Sequence, residues 1–281
     1  MSTQDTYKKI NQQQYEILRL FPKSVQKEYA SQVIGLTQDG DNILDIGFGS
    51  GLFLIPLLNL NSKTEIYGID YSEKMYEAVS KYVKDKTRII LGDVLKFKGQ
   101  YSIVHFKAIL HCFNSPEKAL NKIRSLSKAG GYIVTGDEYS QIEDRIEQIF
   151  NSPIIDKDLE LLFEYYFSLR VNLKKPFVQR KYPAGDATKA VEYICADKKF
   201  TLFKVISSKA LSWKRKYQLN DLLYSIKEGT YNVFSAGLSS EDRDFIYKKM
   251  SEFAQKHELN MTKVRSIPAN FRIFIIKHNL Q

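Results

Sequence analysis

Residues Ile43 to Phe53 read ILDIGFGSGLF, an apolar strand that runs into Asp45 and then into three glycines at alternate positions, Gly47, Gly49 and Gly51. Glycines accept positive φ and, lacking Cβ, let a ligand lie directly against the backbone. The helix start that follows offers unpaired N–H groups to a carboxylate. Such a turn suits a nucleoside-containing ligand. The dinucleotide fingerprint G-x-G-x-x-G needs its third glycine at position 52, which is Leu52, so the spacing argues against NAD. Two further acids stand where apolar runs end: Asp70 in YGIDYS and Asp93 in LGDV.

The elements that must position these residues follow from periodicity and punctuation. The first strand is Ile43 to Ile46, followed by a helix from Gly51 to about Leu60, in which Pro56 lies beyond the first position and introduces a kink. A second strand, Thr64 to Ile69, ends in Asp70, and Ser72 is a good N-cap for the helix carrying Lys74 to Lys84. YSIVHFKAILHCF, 101 to 113, reads as a fourth strand and its exit loop. Ser115 and Pro116 open a helix through Leu126, and LSKAGGYIVTGDE, 126 to 138, reads as helix end, turn and fifth strand. Upstream, Tyr7 to Gly35 is helical and divided at Pro22. Downstream, Ser240 to His257 is an amphipathic helix, followed by a strand at Thr262 to Ile267, a Pro-Ala-Asn turn and a strand at Phe271 to Lys277. Strands alternating with helices imply a parallel, doubly wound α/β sheet, whose ligands sit outside the carboxyl ends of the strands. Every motif residue falls at such an end.

With these motifs in this order, residues 35 to 138 resemble the class I S-adenosylmethionine (SAM) dependent methyltransferases. The resemblance implies a Rossmann-like, doubly wound, seven-stranded sheet with an antiparallel last strand. It divides the chain into a helical cap at 1–35, a SAM-binding core at 36–140 and 240–281, and a substrate lid inserted after strand 5 at 141–239. It also implies roles. Gly47, Gly49 and Gly51 would let the loop approach the methionine and ribose portions; Asp70 would accept from both ribose hydroxyls; Tyr71 and Val94 would flank the adenine; Asp93 would accept from its amino group; Asp45 would stand near the ligand's ammonium, directly or through water. Tyr7 and Tyr15 could close over SAM or simply pack. Without the resemblance, the glycines could mark any strand-to-helix turn, and Asp70 or Asp93 could be turn or cap residues.

Methyl transfer from a sulfonium asks mainly for attack geometry and exclusion of water, so acceptor-side residues are harder to read. His111 follows the fourth strand and could take a proton near neutrality. Tyr139 ends the fifth strand at the same rim and could orient an acceptor. The neighbouring Asp137 and Glu138 could contact a cation, but successive strand residues point to opposite faces, so no metal site is assigned. The fourth-strand exit FKAILHCF lacks the D/N-P-P-Y type motif that grips a planar exocyclic nitrogen.

The 281 residues are 43% hydrophobic, enough for a substantial core. Cys112 and Cys195 have no paired spacing, which fits reduced thiols in a cytoplasm; no apolar run is long enough for a bilayer, and no membrane partner is expected. Between Arg170 and Lys216 stand thirteen Lys or Arg and three acids, which accounts for the whole net charge of +10. That stretch could meet an anionic metabolite, an acyl carrier protein or RNA, or could be a solvated lysine-rich face; its aromatics, Trp213 among them, would line a pocket or pack the lid. The function these readings converge on is SAM-dependent methyl transfer to O or N of a small, anionic molecule, leaving S-adenosylhomocysteine (SAH). The alternatives are an RNA methyltransferase that uses 170–216, and a SAM-binding protein without catalysis. Oligomeric state stays open.

Overall fold

In the computed structural model, residues 21–60, 63–140, 156–175, 187–229, 235 and 237–280 are described. Elements are numbered along the chain. They are α1 (Lys23–Ile34), β1 (Asn42–Ile46), α2 (Leu54–Leu60), β2 (Glu65–Asp70), α3 (Glu73–Ser80), β3 (Ile89–Leu91), β4 (Tyr101–Phe106), α4 (Pro116–Leu126) and β5 (Ser127–Ser140). There follow α5 (Lys157–Asn172), α6 (Thr188–Cys195), β6 (Phe200–Ile206), β7 (Ser212–Tyr217), α7 (Leu219–Glu228), α8 (Ser240–Lys256) and β8 (Arg265–His278).

The sheet runs β3-β2-β1-β4-β5-β8-β6, with β7 also paired to β8. Strands β1 to β5 are mutually parallel, and β8 is antiparallel to β5, β6 and β7. The expected Rossmann-like architecture with an antiparallel last strand is what forms. Alternation along β1 explains the layering: Ile43 and Asp45 face the side covered by α1 and α2, and Leu44 and Ile46 face the side covered by α4 and α6. Because β1 and β4 are covered on both faces, they read as near-continuous apolar runs.

Several boundaries differ from expectation. Among the described residues the sheet has eight strands rather than seven. β8 is a single 14-residue strand rather than strand, turn and strand, because the 268–270 segment keeps its pairing: Lys214 opposes Pro268 and Ser140 opposes Ala269. Among the described residues the register with β5 runs as far as the Ser140–Ala269 pair. A strand this long outlasts β6, and after a short 3-10 turn at Lys209–Leu211 the chain continues along the same edge as β7. Residues 200–217, read as part of the 141–239 insertion, therefore contribute two strands to the main sheet. The helix after the glycine turn starts at Leu54, which puts Pro56 in its first turn, where the missing N–H has no intrahelical partner to lose, so no kink is required. The helix capped by Ser72 ends at Ser80 rather than Lys84.

α5, α7 and α8 bury a separate apolar cluster that includes Leu159, Tyr166, Leu223 and Met250. An ion cluster fastens α5 to the start of β8. Arg265, 5% exposed, donates to Asp156 at 3.0 Å and Asp158 at 2.8 Å, and Lys263 reaches Asp156 at 2.7 Å. Partial burial raises the Asp156 pKa, but the hydrogen bonds from Lys263 and Arg265 outweigh it and hold the carboxyl at about 2.

Candidate active site

The turn after β1 is built on backbone that only glycine adopts readily. Gly47, Gly49 and Gly51 have φ of +70°, +54° and +82°. A Cβ on Gly47 would stand 2.4 Å from Ile109 Cγ2, and one on Gly51 2.7 Å from Ile55 Cδ1, so both glycines let neighbouring chain pack closely. Gly49 differs: a Cβ there meets nothing within 4 Å, so the space above it is open to a ligand.

Asp70, at the carboxyl end of β2, ties this turn down. One carboxylate oxygen accepts from Gly49 N and the other from Ser72 N, each at 2.8 Å. Burial pushes its pKa above the ordinary 3.8 and the nearby Asp45 charge adds to this, while the backbone donors pull it down. The turn-and-cap role and the ligand role coexist, since a carboxylate has about four acceptor positions and the backbone donors of Gly49, Ser72 and Tyr71 do not fill them all. Ser72 in turn caps α3, accepting from Met75 N.

A cleft of about 1260 Å³, its open mouth included, runs along these strand ends. Asp70, Tyr71, Met75, Asp93 and Val94 line one end. Tyr71 is half exposed, Val94 is buried, and Asp93 Oδ1 accepts from Leu95 N at 2.9 Å in its own turn. The other end is lined by Phe21, Asp45, Phe53, His105, Lys107 and Ile109. The predicted cofactor residues from Asp45 to Val94 thus share one cleft, except that Gly51 packs beneath it. Tyr7 and Tyr15 lie outside the described residues, as does the side chain of Tyr139, whose backbone pairs with Asn270 in β8.

His111 is not among the residues that line the cleft. It sits buried in the short 3-10 turn Leu110–Cys112, its Nε2 3.5 Å from Cys112 Sγ, and the adjacent Cys112 faces the cleft instead. Asp137 is also committed elsewhere: it is 1% exposed, receives two bonds from Arg272 at 2.9 and 2.8 Å, and accepts from Ala187 N ahead of α6. Among the described residues no cluster of His, Cys, Asp and Glu is arranged to hold a metal ion.

Sequence reading passed over His105 and Lys107. His105 lies directly opposite Asp45 in the parallel β1–β4 pairing, and its Nδ1 is 2.6 Å from Asp45 Oδ1 with both side chains almost fully buried. Lys107 Nζ stands 4.8, 5.6 and 5.3 Å from the ring centres of Phe21, Phe53 and Phe271, within cation–π range. The next residue, Ala108, has φ of +52°, an uncommon conformation for a side-chain-bearing residue at the strand exit. A signal was present: His105 and Lys107 are the polar residues in the apolar run IVHFKAIL.

A family model described as a methyltransferase domain matches residues 37–168. Just under half of the chain, residues 37–168, thus matches a methyltransferase domain. An uncharacterised chloroplastic methyltransferase of Arabidopsis thaliana is 28% identical over 130 residues, 42% of this chain and 37% of that protein. An uncharacterised methyltransferase of Bacillus subtilis, YdaC, is 31% identical over 102 residues, 35% of this chain and 56% of that one. Malonyl-[acyl-carrier protein] O-methyltransferase 2 of Ilyobacter polytropus is 25% identical over 147 residues, 48% and 54% of the two chains. The chain spans little more than half, or less, of the curated relatives it matches. A crystal structure described as a candidate methyltransferase from Bacillus halodurans C-125 shares the fold with a TM-score of 0.51 at 13% identity, covering 90% of this chain and 98% of that one. No helix among the described residues is long and apolar enough to cross a membrane.

Proposed function

We propose that the chain transfers a methyl group from SAM to an O or N atom of a small, anionic acceptor. The observation that carries this reading is the Asp70 carboxylate, held by two backbone donors beside the open backbone at Gly49, in a cleft that continues to Asp93. A nucleoside fits that end. Asp70 keeps acceptor capacity toward vicinal ribose hydroxyls, Val94 and Tyr71 offer flanking surface for a planar base, and Asp93 offers an oxygen to an exocyclic amine. Asp45, at the far end, is the carboxylate suited to the ammonium of the methionine portion. SAM supplies an already activated methyl, so the residues at the acceptor end need only bind, orient and exclude water.

Lys107 favours an anionic acceptor. Its ammonium is held by three aromatic rings at the opposite end of the cleft from Asp70, where a carboxylate on the acceptor would find a charged donor in an apolar wall. The malonyl-[acyl-carrier protein] O-methyltransferase among the relatives is consistent with a carboxylate-bearing acceptor. Cys112 and Cys195 form no disulfide, which fits a reducing cytoplasm.

Calorimetric titration with SAM, SAH and NAD tests the cofactor. Micromolar binding of both SAM ligands and none of NAD is the expected result, and silence from both SAM ligands with folded, ligand-free protein would end this reading. A screen of carboxylate acceptors against their amides, read as SAM-dependent methylation, then tests the acceptor class.

A further inference from the structure

We propose that His105 is a positioning residue for the cofactor's ammonium: it holds the Asp45 carboxylate so that one oxygen faces the cleft. The inference rests on the SAM-binding reading and extends it to a residue of β4.

Asp45 is 2% exposed, and its Oδ1 is engaged by His105 Nδ1 at 2.6 Å. A carboxylate removed from water to this degree is costly unless a donor satisfies it. His105 is that donor, and because the two residues are direct partners in the β1–β4 register, their side chains leave the sheet on the same face. With Nδ1 donating to Oδ1, Oδ2 is the acceptor left for a ligand, and Asp45 lines the cleft.

The rest of the imidazole has an apolar setting. Tyr29 and Phe53 pack edge-on to it with ring centres 5.3 and 5.9 Å away, and Nε2 is buried without a hydrogen-bond partner. An apolar residue would suit that setting better, since a buried nitrogen without a partner is costly. Packing therefore does not account for a histidine here, whereas orientation of Asp45 does. The hydroxyl of Tyr29, also buried and without a partner, feels the same carboxylate: burial and then the Asp45 charge push its pKa well above 10.0.

Two ligands separate positioning from packing. SAH carries the ammonium, and 5′-methylthioadenosine shares the nucleoside but lacks the amino-acid portion. In His105→Phe, SAH affinity should fall about tenfold or more, as expected when a charged hydrogen-bond partner loses its orientation, while 5′-methylthioadenosine affinity stays within about twofold. Asp45→Asn should show the same selective loss. His105→Gln, which keeps a donor and guards against an unfolded Phe variant, should recover part of the SAH affinity. Equal losses for both ligands, or an unchanged ratio in His105→Gln and Asp45→Asn, would overturn the positioning role. Absence of SAH binding by the wild-type protein would instead defeat the cofactor reading itself.

Discussion

The two ends of the cleft are built by different means. At the nucleoside end the groups that shape the site are backbone N–H donors and glycine conformations, and the residues involved are near neighbours in sequence or joined by one strand pairing: Gly49 and Ser72 bind Asp70, and Leu95 binds Asp93. At the opposite end, where the methionine portion would meet the acceptor, side chains do the shaping, and they come from far apart, with Phe21, Phe53 and Phe271 surrounding Lys107, and His105 joined to Asp45. The first kind of site is stiff and can serve many acceptors. The second can change with a few side chains while the sheet and the cofactor turn stay as they are, which suits specificity.

That difference is open to direct attack. The largest effect should come from Gly47→Ala, which combines positive φ with a Cβ 2.4 Å from Ile109; about 2–4 kcal/mol of stability should be lost, read as a fall in thermal midpoint. Gly49→Ala, where a Cβ meets nothing, should cost only about 1 kcal/mol in the free protein yet weaken SAM binding, because the added methyl enters the ligand's space. If Gly49→Ala binds SAM normally, the cofactor does not lie over that turn.

Next in size, Asp70→Ala should weaken SAM binding by about 1–3 kcal/mol, measured calorimetrically, through loss of charge-assisted hydrogen bonds. Lys107→Met should leave SAM affinity alone and lower kcat/KM for a carboxylate acceptor about tenfold, roughly 1.4 kcal/mol. A Lys107→Met protein that retains full preference for carboxylates over amides would remove the contrast between the two ends.

The smallest effect near neutrality is in pH. The Asp70 pKa is raised in the folded protein, chiefly by burial, so its carboxylate takes up a proton at a less acidic pH than an ordinary aspartate. Ribose hydroxyls need the ionised form as acceptor. SAM affinity should therefore be flat at neutral pH and decline as pH falls through that raised value, and Asp70→Asn should abolish the decline. For the free protein the sign is opposite: a folded carboxyl with a raised pKa contributes stability at low pH that is lost as pH rises through the folded value.

How much of this was readable in advance follows from what each feature depends on. The glycine turn, the acids at the ends of β2 and β3, and the parallel character of the sheet were legible because backbone sterics and strand periodicity act over a few residues. His111 was chosen by its place after the fourth strand, but the chain turns sharply at Ala108 and continues into a 3-10 turn, so His111 is buried beside Cys112 and Lys107 reaches the cleft. Asp137 was read as a rim acid, yet β8 brings Arg272 opposite it and commits it to an ion pair. β6 and β7 fell within the insertion because the resemblance passes from the fifth strand to a C-terminal closing strand, and the exposed segment FTLFKVI lacks the clean alternation that would have marked a strand.

By itself the sequence determined the nucleoside half of the cleft: a turn that glycine makes most readily, and an acid placed to fasten it. Tertiary structure alone decided the other half. The Asp45–His105 pair needs β1 beside β4 in one register, and the ring of aromatics around Lys107 needs segments that begin at residue 21 and end at residue 271. Local sterics is written into a few consecutive residues, whereas a contact between distant segments exists only once the sheet has set its strand order.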